Sequence, residues 1–447
     1  MTGNTDSADI LAALLEKAKQ AGADAADAVI AHGIALSASY RLGKPEDLER
    51  SEGRDLGLRV LLGHQQAMVS TTDLTGDALD SLVERAIAMA RGVPEDPYCG
   101  LLAPEELARE WPELDLADSG EPDAEKLIDW AKRAEDAARA VPGVTNSEGG
   151  DASWSKSRAQ VATSGGFSGG YETSRFSFSV SVLAGQDTEM ERDYDWSSAC
   201  YEEDLESPEE IGKRAGERAV KRLNPKKAAS GAVPVVYDPR VSGGLIRHLS
   251  GAISGASIAR GTSFLKDMLN QPVFAPGIKV TDDPHRKRGF RSRPFDGEGA
   301  PTSASDIIAD GALTTWLLDS RSARQLNLKS TGHAARGTGG PPAPAPSNLY
   351  LAAGDKSPEA LIADIGSGLY VTELIGMGVN GVTGDYSRGA AGYWIDKGEI
   401  AWPVSELTVA GNLKDMFANL TPADDLEFRH GVDAPTVRVE GMTVAGQ

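Results

Sequence analysis

Histidine is the side chain that most often holds a catalytic metal or moves a proton near neutral pH, and the chain has six: His32, His64, His248, His285, His333 and His430. No two lie within five positions of each other, so no single helical turn presents two imidazoles to one metal ion. Cys99 and Cys200 are the only cysteines and form no C-x-x-C pair, which leaves neither a local zinc motif nor a disulfide framework. Two glycine motifs fail on context. Gly376-Met377-Gly378-Val379-Asn380-Gly381 has G-x-G-x-x-G spacing after a strand, but residues 382–393 read as further glycines and aromatics, and a dinucleotide needs a helix N-terminus for its pyrophosphate. Gly166-Phe167-Ser168-Gly169-Gly170 has G-x-S-x-G spacing but falls between strands, whereas a nucleophile elbow turns from strand into helix. No glycine loop continues into G-K-[ST], so there is no P-loop. Asp296, Glu298, Asp306 and Asp385 are carboxylates with the chemistry for proton transfer, and surface solvation is the plainer reading of most of them.

The elements that would position these groups follow from periodicity. Residues 7–21 and 76–91 carry apolar side chains at helical spacing, the second with Leu79, Leu82, Val83, Ala86, Ile87 and Ala90 on one stripe. Strands are predicted at 25–40, 54–62 and 66–71, then a Pro- and acid-rich connector at 93–122 and a helix at 123–141. Residues 144–185 alternate at period two, as several strands broken by Gly pairs, and a helix follows at 208–223. A Pro, Lys, Ser and Gly cluster at 224–232 marks the boundary between two domains, 1–223 and 224–447. Beyond it come a strand at 233–237, a small-residue helix at 243–258, a strand at 273–281 and strands within 305–318. The segment 332–346 is too poor in apolar side chains to build core, and it is predicted to be mobile or pinned only across an interface. The glycine-dense run 368–412 reads as antiparallel sheet, with Asp396-Lys397-Gly398 as a hairpin turn. Such a sheet is either a tightly curved core or a place where an extended peptide lies. The fold class is therefore α+β, with an N-terminal α/β layer domain and a C-terminal β-rich domain whose antiparallel sheet is strongly curved.

Composition narrows the function classes. A formal charge of −21 opposes the phosphate backbone over most of the surface, which disfavours direct nucleic-acid binding. The basic run at 285–293 is predicted to pair with the protein's own acids. No apolar run approaches the length of a membrane span and no secretory signal is present, so a cytoplasmic location is expected.

Several runs together resemble the TldD/PmbA family, the modulators of DNA gyrase, and specifically its PmbA (TldE) branch: 292–302 (SRPFDGEGAPT), 317–331 (LLDSRSARQLNLKST), 368–412, 434–446 (APTVRVEGMTVAG) and 53–72 (GRDLGLRVLLGHQQAMVSTT). The resemblance implies a heterodimer with a TldD-like zinc subunit that cleaves unfolded peptides, the zinc being held by an H-E-x-x-x-H helix and a Cys near the C-terminus. Matched through Gly261-Thr262-Ser263, this chain has Ile246, Arg247 and Gly251 where those two His and the Glu would stand, with His248 out of phase, and no cysteine within 412–435. It resembles the zinc-free subunit, with no cofactor of its own and zinc expected in the partner; a homodimer is the alternative in the partner's absence. The run 368–412 is then the candidate substrate wall or dimer seam, through Gly378, Asn380, Gly384, Asp385, Tyr386, Arg388, Gly392 and Tyr393, and 332–346 a loop ordered by the partner. Two other readings stand beside it: a self-sufficient peptidase recruiting His248, and a non-proteolytic binding protein acting on gyrase or a toxin complex.

Overall fold

The structure, a computed structural model, describes residues 3–446. Its first part is a single antiparallel sheet covered on one face by four helices. The elements are α1 (Gly3–Gln20), β1 (Ala25–Arg41), β2 (Lys44–Leu62), β3 (Gln65–Thr71), α2 (Gly76–Gly92), α3 (Ala124–Arg139), β4 (Val144–Thr163), β5 (Ser168–Ala184), β6 (Glu191–Ala199) and α4 (Pro208–Lys221). The strand order is β3-β2-β1-β4-β5-β6. Even-numbered residues of β1, β2, β4 and β5 supply the covered face: Ala28, Ile30, Leu56, Leu58 and Val60 meet α1 and α2, while Ala38, Tyr40, Trp154, Phe176 and Phe178 meet α3 and α4. This is the period-two logic of a sheet with one buried face. The six apolar positions predicted for α2 are its buried residues.

Two sequence expectations change here. Residues 144–185 form two long strands rather than several, because register shifts at Val144/Asn146 and Ser147/Gly149 absorb the glycines without ending the ladder. Strand β2 begins ten residues before the predicted start, at Lys44, since its polar first half is exposed and still pairs with β1.

The second part contains β7 (Gly231–Tyr237), α5 (Pro239–Ala252), α6 (Gly255–Ala259), β8 (Val280–Asp282), β9 (Ser305–Ala309), β10 (Ala312–Leu313), α7 (Ser320–Leu326), β11 (Ala334–Ala335), β12 (Ala343–Pro344), β13 (Leu349–Leu351), α8 (Pro358–Ile362), β14 (Ser367–Ile375), β15 (Asp385–Asp396), β16 (Glu399–Asn412), α9 (Leu413–Ala418), β17 (Leu420–Pro422), β18 (Val432–Asp433) and β19 (Val437–Ala445). The larger sheet runs β16-β15-β14-β7-β19-β17, and an additional β16–β19 pairing closes five of its strands into a barrel. Strong curvature is thus built in by closure. The sheet is not wholly antiparallel: β7 and β14 run parallel, because the long excursion between them returns the chain to the same end. The turn Lys397-Gly398 joins β15 to β16 with φ of 52° and 83°, as a two-residue hairpin of matching twist requires. Gly392 in β15 is forced by packing, since a Cβ there would sit 1.9 Å from the Tyr370 carbonyl oxygen.

Other expectations are corrected. The helix predicted over 243–258 is two helices, α5 and α6, separated at Ile253 and Ser254. Of 273–281 only the last two residues are strand, and 305–318 yields only β9 and β10. The segment 332–346 is pinned within this chain: β11 and β12 form a short ladder, His333 is buried beside Asp282 at 3.4 Å, and the Arg336 side chain is buried on Asp27 of β1. Its Thr338 lies so close to β2 that a Cβ on Gly57 would be 2.3 Å from the Thr338 carbonyl oxygen. Polar and backbone contacts hold this loop where apolar ones are missing. Within the basic run Arg288 pairs with Asp115, Glu203 and Asp204, whereas Arg293 is buried on the Ala334 and Ala345 carbonyls and Arg286 lies over the Phe428 ring.

Candidate functional site

The last turn of α5 opens into a pocket of about 320 Å³. Helix geometry places Arg247 and Gly251, four residues apart, on the same face, and both line the pocket with His248 and Ala252. Ile246 points the other way and is fully buried in the core. The turn between β14 and β15 contributes Met377, Val379 and Gly381, β15 contributes Arg388, and the start of α9 contributes Leu413; Ser257, Thr262 and Phe264 complete the lining. Asn380 shapes that turn, its Oδ1 accepting from the backbone N–H groups of Val382 and Thr383 at 2.9 and 3.3 Å. Asp385 fixes the turn's exit by accepting from the Thr383 hydroxyl at 2.6 Å and the Asn412 amide at 3.1 Å.

Electrostatically the pocket is cationic. Burial, then Arg388 and Arg247, hold the His248 imidazole below the ordinary histidine value. Its ring stands edge-on to Tyr386 with centroids 6.0 Å apart. The Arg388 Nε donates to the Ile375 carbonyl at 3.3 Å, and no carboxylate lines the pocket. A zinc ion does not fit this donor set. Zinc needs about three N, S or O ligands, whereas Ile246 and Gly251 offer none, Arg247 is a cation, and His248 stands alone. Among the described residues no group of three or more His, Cys, Asp or Glu is arranged to hold a metal.

The candidate residues named from sequence therefore divide. Gly378, Asn380, Gly384 and Asp385 build or flank the turn, Arg388 enters the pocket, Tyr386 is buried beneath it, and Gly392 sits in the strand packing. Tyr393 lies farther along β15, where burial and then Asp193 raise its hydroxyl pKa.

Of the four carboxylates, two come together. Asp296 and Glu298 are both buried, on the loop between β8 and β9. Asp296 accepts from the N–H groups of Glu298 and Ala300, each at 2.9 Å, and of Ala334 at 3.1 Å, so it organises a turn; burial still raises its pKa. Burial, then the neighbouring Asp296, push Glu298 up to about 7, against hydrogen bonds from the Ser320 N–H and hydroxyl at 2.8 and 2.5 Å. Beside them lies a network that sequence reasoning missed. Asp27 of β1 stands directly opposite Arg59 of β2, bonded to its Nε at 2.9 Å, and Arg336 meets the other oxygen as an ion pair. Burial pulls the Asp27 carboxyl upward, and the two guanidiniums more than reverse it, leaving it below the ordinary carboxylate value. Asp306 instead faces Lys279 at 3.0 Å on the surface. A larger cleft of about 410 Å³ runs along the connector, lined by Trp111, Tyr171 and Tyr201; it holds no histidine or arginine, and the α5 pocket is the better candidate for chemistry.

Residues 26–90, 117–223 and 230–446 match the models for PmbA/TldA metallopeptidase domain 1, central domain and C-terminal domain. The chain is 40% identical over 426 residues to "Metalloprotease PmbA" of Escherichia coli O157:H7, covering 95% of this chain and 93% of that one. It is 36% identical to a "Metalloprotease PmbA homolog" of Haemophilus influenzae over 97% and 94% of the two chains. A putative modulator of DNA gyrase from Bacteroides thetaiotaomicron superposes with a TM-score of 0.92 at 25% identity, over 100% of both chains. TldE from Thermococcus kodakarensis shares the fold at TM-score 0.87 and 19% identity, over 98% of this chain and 100% of that one. Among the described residues no helix is long and apolar enough to cross a membrane.

Proposed function

Because the chain belongs to the PmbA/TldD family of metallopeptidases, we propose that it is the zinc-free, non-catalytic member of a heterodimeric metalloprotease. In this reading it pairs with a TldD-like zinc subunit in the cytoplasm and helps that subunit handle unfolded peptides. One observation carries it: where the zinc-bearing branch would present its H-E-x-x-x-H donors, this chain presents Arg247 and Gly251 to the pocket and seals Ile246 in the core. Two guanidiniums beside a single imidazole repel a dication. Such a subunit contributes shape. The turn built by Gly378, Asn380, Gly384 and Asp385, with Arg388 on the adjoining strand, forms a wall for the peptide, while Tyr386, Gly392 and Tyr393 support that wall from the sheet behind it.

The test is an affinity purification of the tagged chain from its native cell, followed by metal analysis and a peptidase assay on the eluate. The expected result is an equimolar second chain bearing H-E-x-x-x-H, a single zinc per pair, and hydrolysis of an unfolded peptide that a chelator abolishes. Recovery of this chain alone with bound zinc would sink the reading in favour of a self-sufficient peptidase. Recovery alone without zinc would do so in favour of a binding protein acting on gyrase or a toxin complex.

A further inference from the structure

We propose that the pocket at the end of α5 receives the C-terminal carboxylate of an extended peptide, with the peptide's last side chain lying on the pocket's apolar wall. Charge is the first support. The protein has 66 acidic against 45 basic residues, and many of its arginines are in ion pairs, among them Arg59, Arg214, Arg222, Arg240 and Arg288. Arg247 and Arg388 differ: among the described residues neither is in an ion pair, and no Asp or Glu lines their pocket. Arg247 is exposed and Arg388 half-buried, and apart from the Arg388 Nε bond to the Ile375 carbonyl the pair of like charges brings the fold no ion-pair stabilisation. A carboxylate between them gains charge-assisted hydrogen bonds.

Shape is the second support. Val379, Phe264 and Leu413 give the same pocket an apolar wall. An Asp or Glu side chain would deliver a carboxylate and leave that wall wet. A chain end carries a carboxylate and a side chain on one Cα, and it covers both surfaces at once. Met377, which also lines the pocket, is 90% exposed and extends the apolar track outward for the preceding residues.

The floor is the third. A Cβ on Gly251 would meet nothing within 4 Å, and its φ is not left-handed. Neither packing nor backbone conformation asks for glycine there. Its one effect is to leave the pocket open.

The assignment rests on the peptide-handling reading for what the peptide is, while binding itself is a property of this chain alone. The experiment is fluorescence anisotropy with the isolated full chain and a short, labelled, unstructured peptide ending in Leu, as the free acid and as the C-terminal amide. An amide-capped peptide with an internal Glu serves as the third probe. The free acid should bind about tenfold or more tightly than either amide. Arg388→Gln and Gly251→Leu should each abolish that preference, and Gly251→Leu should melt no lower than wild type. Equal binding of acid and amide, binding of the internal-Glu amide as tight as the acid, binding of none, or undiminished acid binding by Gly251→Leu would each overturn the proposal. Acid-selective binding by a chain that co-purifies with no zinc subunit keeps the pocket and removes the subunit reading; the reverse result separates them the other way.

Discussion

Replacing Glu298 by Gln should stabilise the protein above neutral pH and leave it nearly unchanged in acid. The carboxyl is buried, with Asp296 close by, and its pKa is pushed up to about 7. An acid whose folded pKa lies above its unfolded one holds its proton better when folded. Stability therefore falls as pH rises from the unfolded value near 4.5 through about 7, and the full penalty is present above that. At about 1.4 kcal/mol per pKa unit, the gap amounts to roughly 3 kcal/mol, an order-of-magnitude figure. Gln keeps an oxygen for the Ser320 N–H, and its amide can donate to the Ser320 hydroxyl, so the local bonds survive while the charge does not. Urea unfolding at pH 5, 7 and 8.5 reads the difference directly. It should be small at pH 5 and grow to a few kcal/mol at pH 8.5 in favour of Gln. The opposite sign at pH 8.5 would refute the reasoning. It would mean that the ionised Glu298 carboxylate is net stabilising in the folded protein, balancing the Arg59 and Arg336 guanidiniums, for which Asp27 alone is then insufficient.

Other consequences follow from the same geometry. Asp27→Ala leaves Arg59 and Arg336 buried without their counter-ion, which should cost about 3–5 kcal/mol in denaturant titration; a loss under 1 kcal/mol would show that water reaches the cluster. Gly392→Ala places a Cβ on the Tyr370 carbonyl, so a loss of more than about 2 kcal/mol is expected, and an unchanged melting curve would mean that the β14–β15 pair relaxes freely. Arg288→Ala removes three exposed ion pairs and a cation lying 3.7 Å from the Tyr201 ring. Hydrogen exchange should then quicken in the connector around Asp115 while the sheet is unaffected.

The elements with strong apolar periodicity were legible from sequence: the buried stripe of α2 and the strands β1 and β3 follow from spacing alone, whereas the polar start of β2, the continuity of β4 and β5, and the whole of β6 do not. Polar contacts were not. Asp27 interrupts an apolar strand, and only the cross-strand register that puts it opposite Arg59 explains it. The segment 332–346 was misread for the same reason, since hydropathy does not score a buried Arg336 or a backbone laid against Gly57. In the pocket, family resemblance located Ile246, Arg247 and Gly251. Which of them faces the cavity depends on how α5 is rotated in the core, and the contribution of Phe264 and Leu413 depends on tertiary approach.

Closure of the barrel has a consequence for how the protein is made. Strand β7 opens the barrel and β19 completes it, and they lie side by side with Tyr237 opposite Val437. A ribosome must therefore translate everything between them before the seam can form, whereas the first sheet is whole once β6 has emerged. During that interval β7 has no partner on one edge, and β16 awaits the strand that will cap it. Unpaired edges of this kind are where nascent strands capture one another. Slow translation or a destabilised β19 should thus be felt first as aggregation during synthesis, even where the finished molecule is stable.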